Sequence, residues 1–138
     1  MELNHYKCVK DVHATPMTRG VYNAYRGWTM PVGEVAEDPG YLVVYNKGTP
    51  DQYESWSPKR IFDSGYIEFP GSGLPEYQRR VMLEYNELLE KLDKLSEFLL
   101  TDTFANLDEK SRFQLSGQRD AMAAYSRFLH NRIADFVE

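Results

Sequence analysis

The sequence predicts an α+β protein in which a small antiparallel β-sheet domain with short helices is followed by a long antiparallel helical hairpin. Strand-like segments and most of the glycines lie before residue 74, whereas two long stretches with helical periodicity follow it. Between them, "YIEFPGSGLP" (residues 66–75) contains two prolines and two glycines, which is typical of a linker or a sharp turn. The predicted boundaries are 1–68 for the β-rich domain, 69–75 for the linker and 76–138 for the hairpin.

Local signals predict a first strand and a first helix in the N-terminal domain. The segment "HYKCVKDVHA" shows some alternation through Tyr6 and Cys8, which predicts an opening strand. Thr18 is expected to cap a short helix through Tyr25, because its hydroxyl can accept from the free amides of a first helical turn. Gly27 then follows as a left-handed terminator.

Two further strands and a second short helix are predicted beyond this point. The segments "GYLVVYN" and "QYESW" are rich in β-forming residues and are joined by the turn-forming "KGTPD", which indicates a β-hairpin. Ser57 and Pro58 are expected to be the N-cap and first residue of a short helix. The earlier segment "TMPVGEVAEDPG" predicts a loop whose acidic side chains face water.

A heptad pattern predicts the first helix of the hairpin. Pro75 suits the first turn of a helix. Apolar residues then recur at alternating steps of four and three over nearly three repeats, which indicates a packed helical seam. They are Val81, Tyr85, Leu88, Leu92, Leu95 and Leu99.

The second helix is expected to begin near Asn106 or Asp108, because either residue can act as a cap. Leu89, Phe113 and Phe128 lie off the main stripes and predict a second buried face, covered by another copy of the chain or by the N-terminal half. The hairpin is therefore interpreted as an oligomerisation device. The predicted apolar stripe of the second helix comprises Leu115, Met122, Tyr125, Leu129, Ile133 and Phe136.

Composition excludes several classes of function. The net charge of −5 argues against a broad nucleic-acid surface, which needs an excess of Lys and Arg, although a small anion needs only a local cluster. The single cysteine, Cys8, excludes an internal disulfide and suits a reducing cytosol. The sequence contains neither a long apolar run nor a secretory leader, so we expect no membrane partner and no DNA or RNA partner.

Catalysis has little support in the sequence. The three histidines, His5, His13 and His130, do not occur in spacings associated with a metal site or a catalytic triad. The acidic residues are scattered along predicted helix faces, where solvation accounts for them. We therefore predict no enzymatic activity, no metal and no cofactor.

An aromatic–basic cluster, "TRGVYNAYRGW", is the strongest candidate for a binding site. A nucleotide base stacks on an aromatic face, and its phosphates pair with planar cationic groups. Steps of three and four residues place Arg19, Tyr22, Tyr25 and Arg26 near one another on a short helix. These four are predicted ligand-binding residues, and Trp28 is expected to anchor the cluster in the core.

A second segment, "SWSPKR", adds Trp56, Ser57 and Lys59 to the predicted ligand-binding residues, with a helix N-terminus that favours an anion. Trp56 is interpreted either as a core residue or as a stacking platform. Arg79 and Arg80 lie near the start of the first hairpin helix. If the hairpin folds back on the β domain, these two arginines would complete the pocket.

Two segments, "TPMTRGVYNAYRGWTMP" and "DPGYLVVYNKGTPDQYESWSPKRIFDSGY", together resemble the N-terminal domain of the Thoeris anti-defence sponges, a family of small phage proteins. The resemblance covers residues 1–66. It implies a β-sheet domain followed by a helical hairpin, and sequestration of cyclic nucleotide immune signals without degradation. Those signals are cyclic ADP-ribose isomers above all and, for some members, cyclic oligonucleotides of the CBASS type. The C-terminal half instead resembles a different phage hairpin, found in uncharacterised proteins.

The resulting hypothesis is a phage immune-evasion protein that acts in the host cell cytoplasm. It would bind a cyclic nucleotide second messenger without cleaving it, and it would form at least a dimer with itself through the hairpin. The alternative is a protein-interaction module whose aromatic–basic face binds a host defence protein, because interfaces are also enriched in Tyr, Trp and Arg.

Overall fold

The chain divides into two units, Met1–Ile67 and Glu68–Glu138, in the computed structural model, which describes residues 1–137. A small sheet with two short helices forms the first unit, and a long helical hairpin forms the second, so the predicted α+β class is confirmed. The elements are β1 (Val12–Pro16), α1 (Arg19–Tyr25), β2 (Gly40–Tyr45), β3 (Tyr53–Pro58), α2 (Lys59–Gly65), α3 (Glu76–Phe98), α4 (Asp102–Ala105) and α5 (Glu109–Ala134), followed by a 3-10 turn (Asp135–Val137).

The three strands form an antiparallel sheet in the order β1-β2-β3. Leu42 pairs with Trp56, and Tyr41 pairs with Ser57. Because successive side chains of a strand point to opposite faces, Leu42 and Trp56 share one face while Tyr41 and Ser57 share the other. Val43, on the face of Tyr41, is fully buried at the centre of the sheet.

The predicted opening strand over "HYKCVKDVHA" is wrong in its extent. β1 begins only at Val12, and residues 1–10 are exposed and outside regular structure. The register explains the boundary, because Val12 pairs with Tyr45, the last residue of β2. Asn46 then leaves the strand with a positive φ of 53°, so no partner strand continues for earlier residues of the chain.

The first helix is capped as predicted, and the second is not. Thr18 Oγ accepts from the amide of Val21 at 3.3 Å, and Gly27 adopts the left-handed conformation with φ 75°. Ser57, however, remains in β3, and the N-cap of α2 is Pro58, which has no side-chain acceptor. The first amide of α2, that of Lys59, instead donates to the carbonyl of Pro39 at 3.0 Å.

In the hairpin, α3 and α5 pack through an apolar core. Val81, Leu88 and Leu129 are buried, and Leu129 is only 1% exposed. α3 begins after Pro75 and α5 after Asp108, each close to the predicted start. Partly buried residues surround this core, and they are Tyr85, Met122, Ile133 and Phe136.

Two features of the hairpin differ from the sequence prediction. The connection contains a short helix, α4, capped by Thr101, where the sequence predicted an interruption only. Tyr125 is not part of the buried stripe, because its hydroxyl reaches across to the carboxylate of Glu84 and the ring stays largely exposed. A polar partner on α3 therefore holds this side chain at the edge of the core.

The second face of the hairpin is apolar but not buried in the described chain. Phe113 is 78% exposed and Phe128 is 71% exposed. Gly117 lies between them in the middle of α5, and a Cβ at this position would meet nothing within 4 Å. A glycine inside a helix costs about 1 kcal/mol relative to alanine, so the packing of the chain itself does not account for this residue.

Among the described residues, none of the helices is both long enough and apolar enough to cross a lipid bilayer. The same part of the chain contains no group of three or more His, Cys, Asp or Glu side chains arranged to hold a metal ion.

Candidate functional site

The candidate site lies on α1 and the face of the sheet beneath it. This part of the first unit brings together five of the nine predicted site residues, Arg19, Tyr22, Tyr25, Arg26 and Trp56. We call the exposed side chains Tyr25, Arg26 and Trp28 the α1 surface. Tyr22 is buried and forms the floor beneath Arg26 and Trp28.

Arg19 is held by an acidic partner that the sequence analysis missed. Its guanidinium forms a bidentate pair with Glu34, with Nε donating to Oε1 at 2.9 Å. Buried Asn23 donates to the same carboxylate at 3.1 Å. These hydrogen bonds, that of Arg19 first, hold the pKa of Glu34 below its ordinary value, and the pair raises the pKa of Arg19.

The prediction that the acids of the loop face water is therefore wrong for Glu34. The loop folds back on α1, because the amides of Arg19 and Gly20 donate to the carbonyls of Asp38 and Ala36, each at 2.9 Å. Gly20 permits this approach, since a Cβ there would lie 2.8 Å from Cβ of Ala36. The positive charge of Arg19 is thus neutralised within the unit.

Trp56 is fixed between the sheet and Arg19. Its indole Nε1 donates to the carbonyl of Met17 at 2.8 Å, and the Arg19 guanidinium lies 4.9 Å from the ring centroid. Gly40 on β2 makes room for the ring, because a Cβ there would lie 2.4 Å from it. Trp56 is half-buried. It was interpreted either as a core residue or as a stacking platform, and its contacts within the unit are those of a packed core residue.

Arg26, like Arg19, lies against aromatic rings, but unlike Arg19 it has no ion pair among the described residues. Its guanidinium lies 4.9 Å from the Trp28 ring centroid and 5.7 Å from that of Tyr22. The Tyr22 and Trp28 rings meet edge to face, with centroids 5.9 Å apart. A stacked guanidinium keeps its in-plane N–H donors available at the edge, so Arg26 can still donate to an anion.

Trp28 is not the core anchor that the sequence predicted. It is 54% exposed, as is Tyr25, whereas Tyr22 takes the core position. The reason is the left-handed turn at Gly27, after which the Trp28 amide donates to the carbonyl of Asn23 at 2.7 Å. This turn lays the indole over the outside of α1.

Tyr25 completes the α1 surface through a contact with the sheet. The nearby carboxylate of Glu54 on β3 raises the pKa of the Tyr25 phenol. Glu54 shares the sheet face of Trp56, two residues away along β3. The half-exposed ring of Tyr25 thus lies between Glu54 and Arg26 in charge environment.

Ser57 and Lys59 lie apart from the α1 surface. Ser57 is on the opposite face of the sheet, paired with Tyr41. Lys59 Nζ bonds Asp63 at 2.6 Å and lies 5.8 Å from the Tyr41 ring centroid. The hydrogen bond with Asp63 raises the pKa of Lys59 and lowers that of Asp63, so this cation is locally neutralised.

Arg79 and Arg80 belong to the second unit and have partners there. Arg79 donates to the carbonyl of Phe69 at 2.7 Å and to that of Pro70 at 3.1 Å, which ties the linker to α3. Arg80 bonds Glu76 at 2.7 Å and lies 5.1 Å from the Phe69 ring centroid. Both arginines therefore organise the start of the hairpin.

Comparison with known proteins identifies the class. The fold and site define a small α+β protein that combines a cationic, aromatic surface with a helical hairpin. A family model described as Sequestin matches residues 75–135, which include α3, α4 and α5. An uncharacterised 7.5 kDa protein of the denB–rIIB intergenic region of Enterobacteria phage T4 is 37% identical over 60 residues, covering 44% of this chain and 94% of the phage protein.

The chain therefore belongs to the phage Sequestin family. The predicted resemblance of the C-terminal half to an uncharacterised phage hairpin is confirmed, whereas the resemblance of residues 1–66 to the Thoeris sponges stays a prediction. The name of the family indicates a sequestering role, in which a molecule is bound rather than transformed. No solved structure matches the chain.

Proposed function

We propose that this protein binds a cyclic nucleotide second messenger and sequesters it without cleavage, in the cytoplasm of a phage-infected host. The single observation that carries the proposal is Arg26, a guanidinium stacked on Trp28 and Tyr22 without an ion pair among the described residues. The phage family and the sequestering role that its name indicates support the same class of function.

The α1 surface supplies the two interactions that a nucleotide requires. The half-exposed rings of Trp28 and Tyr25 offer faces on which a base can stack, at about 1–3 kcal/mol per base. The outer edge of Arg26 offers paired donors to a phosphate, and hydrogen bonds to charged groups contribute roughly 1.5–3 kcal/mol each. Arg19, by contrast, acts as a positioning residue, because Glu34 already occupies its donors.

Sequestration needs binding alone. A protein present in excess over the messenger lowers its free concentration, and a defence effector that depends on the messenger stays inactive. Self-association, at least to a dimer, is part of this proposal, because binding at protomer boundaries would bring two α1 surfaces to one ligand and slow its release.

A panel of cyclic ADP-ribose isomers and cyclic oligonucleotides tests the proposal by thermal shift and calorimetry. A ligand at 100 times its dissociation constant is expected to stabilise the folded chain by about 2.7 kcal/mol. Arg26→Ala is expected to weaken binding roughly 10- to 150-fold. The matched control is Arg60→Ala, an exposed arginine on α2, which packs on the opposite face of the sheet.

The ligand recovered after denaturation of the complex decides between capture and catalysis. Mass spectrometry is expected to return the intact cyclic molecule. A linearised product would overturn the non-catalytic proposal, and the absence of a thermal shift with every member of the panel would overturn the choice of ligand.

A second candidate function is binding of a host defence protein through the same surface. The observation that favours it is the exposure of Tyr25 and Trp28 beside Arg26, the three residue types most enriched at interface hot spots. In that case an Arg26→Ala change would release a protein partner in pull-down experiments and would leave the melting temperature insensitive to nucleotides.

A further inference from the structure

The outer face of α5 carries two exposed phenylalanine rings, Phe113 and Phe128, that the candidate site does not use. It comprises Phe113, Gly117, Ala121, Ala124 and Phe128, at successive steps of four, four, three and four residues. Such steps place all five on one side of a helix. That side is opposite the core, because the residues of α5 that are buried or packed in the core lie on the other side of the helix.

We propose that two copies of the chain associate through this face, with their α5 helices antiparallel and a twofold axis passing between residues 122 and 123. In this register Phe128 of one copy lies over Gly117 of the other, and Ala121 lies opposite Ala124. A large ring thus meets the position without a side chain, twice per dimer. The arrangement accounts for Gly117, which the packing of the chain itself does not require.

The charged residues of α5 agree with the same register. Lys110 in the first turn lies opposite Asp135, just after the last turn, and neither residue has an ion pair within the described chain. Arg132 comes opposite the exposed ring of Phe113, where a guanidinium can stack on it. An isologous interface makes each of these contacts twice.

The alternative register, with the axis between residues 120 and 121, lacks these pairings. It would place Phe113 opposite Phe128 and Gly117 opposite Ala124. Lys110 would then face Asn131, and Asp135 would extend beyond the partner helix. Charge complementarity and the fit of Phe128 over Gly117 together select the first register.

The available area sets the expected strength of association. α5 has 26 residues and is therefore about 39 Å long. Four exposed phenylalanine rings offer on the order of 150 Å² each, roughly half of the 1,200 Å² that a stable interface needs. The small residues and the aliphatic stems of Lys110 and Arg132 supply the remainder, so we expect a reversible dimer with a dissociation constant near the micromolar range.

Sedimentation equilibrium of the full chain without nucleotide tests the inference. The wild-type protein is expected to form a concentration-dependent dimer, and Gly117→Leu is expected to make it a monomer, because a leucine excludes the ring of Phe128. Leucine is a better helix former than glycine, so retained helical circular dichroism separates this effect from unfolding. Leu100→Ser is the matched control, because Leu100 is 88% exposed but lies outside the face.

A charge exchange tests the register. Lys110→Glu alone and Asp135→Lys alone are each expected to weaken the dimer about tenfold, and the two together are expected to restore it. Each single change places a charge that interacts favourably with the dipole of α5, a negative one at its start or a positive one at its end. Neither change should therefore weaken the fold. A wild-type monomer at all concentrations, a dimer that survives Gly117→Leu, or a double exchange without recovery would overturn the inference.

This inference gives a surface to the self-association in the proposed function, yet it does not depend on ligand binding. Mass is measured without nucleotide, whereas the thermal shift measures the α1 surface. A dimer that binds no nucleotide would refute the proposed ligand alone, and a monomer that binds one would refute the interface alone.

Discussion

The most demanding test of the candidate site is the substitution Gly40→Ala. Gly40 lies at the start of β2, and an added Cβ would be 2.4 Å from the carbonyl oxygen of Ser57 and 2.4 Å from the Trp56 ring. Neither group can easily move. Ser57 belongs to the β3 backbone, and Trp56 is held by its hydrogen bond to Met17 and by the Arg19 guanidinium.

The magnitude follows from the cost of overpacking. Added methyl groups that force backbone shifts destabilise a folded unit by about 1–3 kcal/mol. A unit of this size loses roughly 4–8 °C in melting temperature per kcal/mol, so Gly40→Ala should lower the transition by about 4–24 °C. Displacement of Trp56 would also remove the ring on which Arg19 lies, and the affinity for ligand should fall with it.

Tryptophan fluorescence is a suitable assay, because both tryptophans, Trp28 and Trp56, lie in the first unit. Gly65→Ala serves as the control, since Gly65 also has helical or extended geometry and a Cβ there would meet nothing within 4 Å. A Gly40→Ala protein that melts within about 1 °C of the wild type would refute the argument that Trp56 is tightly enclosed.

Three further changes test other parts of the structure. Leu129→Ala, at a position 1% exposed, should destabilise the hairpin by about 2–5 kcal/mol in helical circular dichroism melts, whereas Leu100→Ala should change its stability by less than about 0.5 kcal/mol. Thr18→Ala removes the N-cap of α1 and should cost the first unit about 1 kcal/mol by chemical denaturation, and a loss indistinguishable from zero would contradict the capping role. The pKa of Glu34 is lowered by Arg19, so its contribution to stability is present above the ordinary pKa of a glutamate and is lost as the pH falls through the lower folded value. Glu34→Gln should therefore reduce the fall in the free energy of unfolding at acidic pH. An unchanged dependence on pH would show that the ion pair does not contribute to stability.

Regular elements were predictable because they depend on local signals. The cap at Thr18 and the terminator at Gly27 fix both ends of α1 through local sequence. The heptad pattern that starts at Val81 likewise determines α3, because burial of one apolar stripe is enough to stabilise the whole helix. The start of β1 was not predictable, since it depends on where β2 stops at Tyr45 rather than on residues 1–10.

The candidate site was predictable in its composition but not in its pairing. Arg19 and Arg26 have similar sequence contexts, yet only Arg19 meets a carboxylate, that of Glu34, fifteen residues away. Such a contact depends on the path of an irregular loop, for which no periodicity exists. The exposure of Trp28 was unpredictable for the same reason, because it depends on the left-handed conformation of one residue, Gly27.

Hairpin residues off the main seam illustrate a different limit. Phe113 and Phe128 were expected on a second apolar face, and the face exists, but a single chain leaves it exposed. Hydrophobic pattern predicts which side of a helix is apolar and does not identify what covers it. Tyr125 shows that the pattern also does not predict side-chain hydrogen bonds, here the one that the Tyr125 hydroxyl donates to Glu84 on the facing helix.

One short loop segment determines how the first unit can recognise an anion. The amides that begin α1 and α2 already donate to carbonyls of residues 36–39, so neither helix has that amide free for a phosphate. Recognition would therefore depend on the exposed, cationic side chain of Arg26. Capture of a messenger should then weaken steadily as the ionic strength rises, because salt screens the attraction between an exposed cation and an anion.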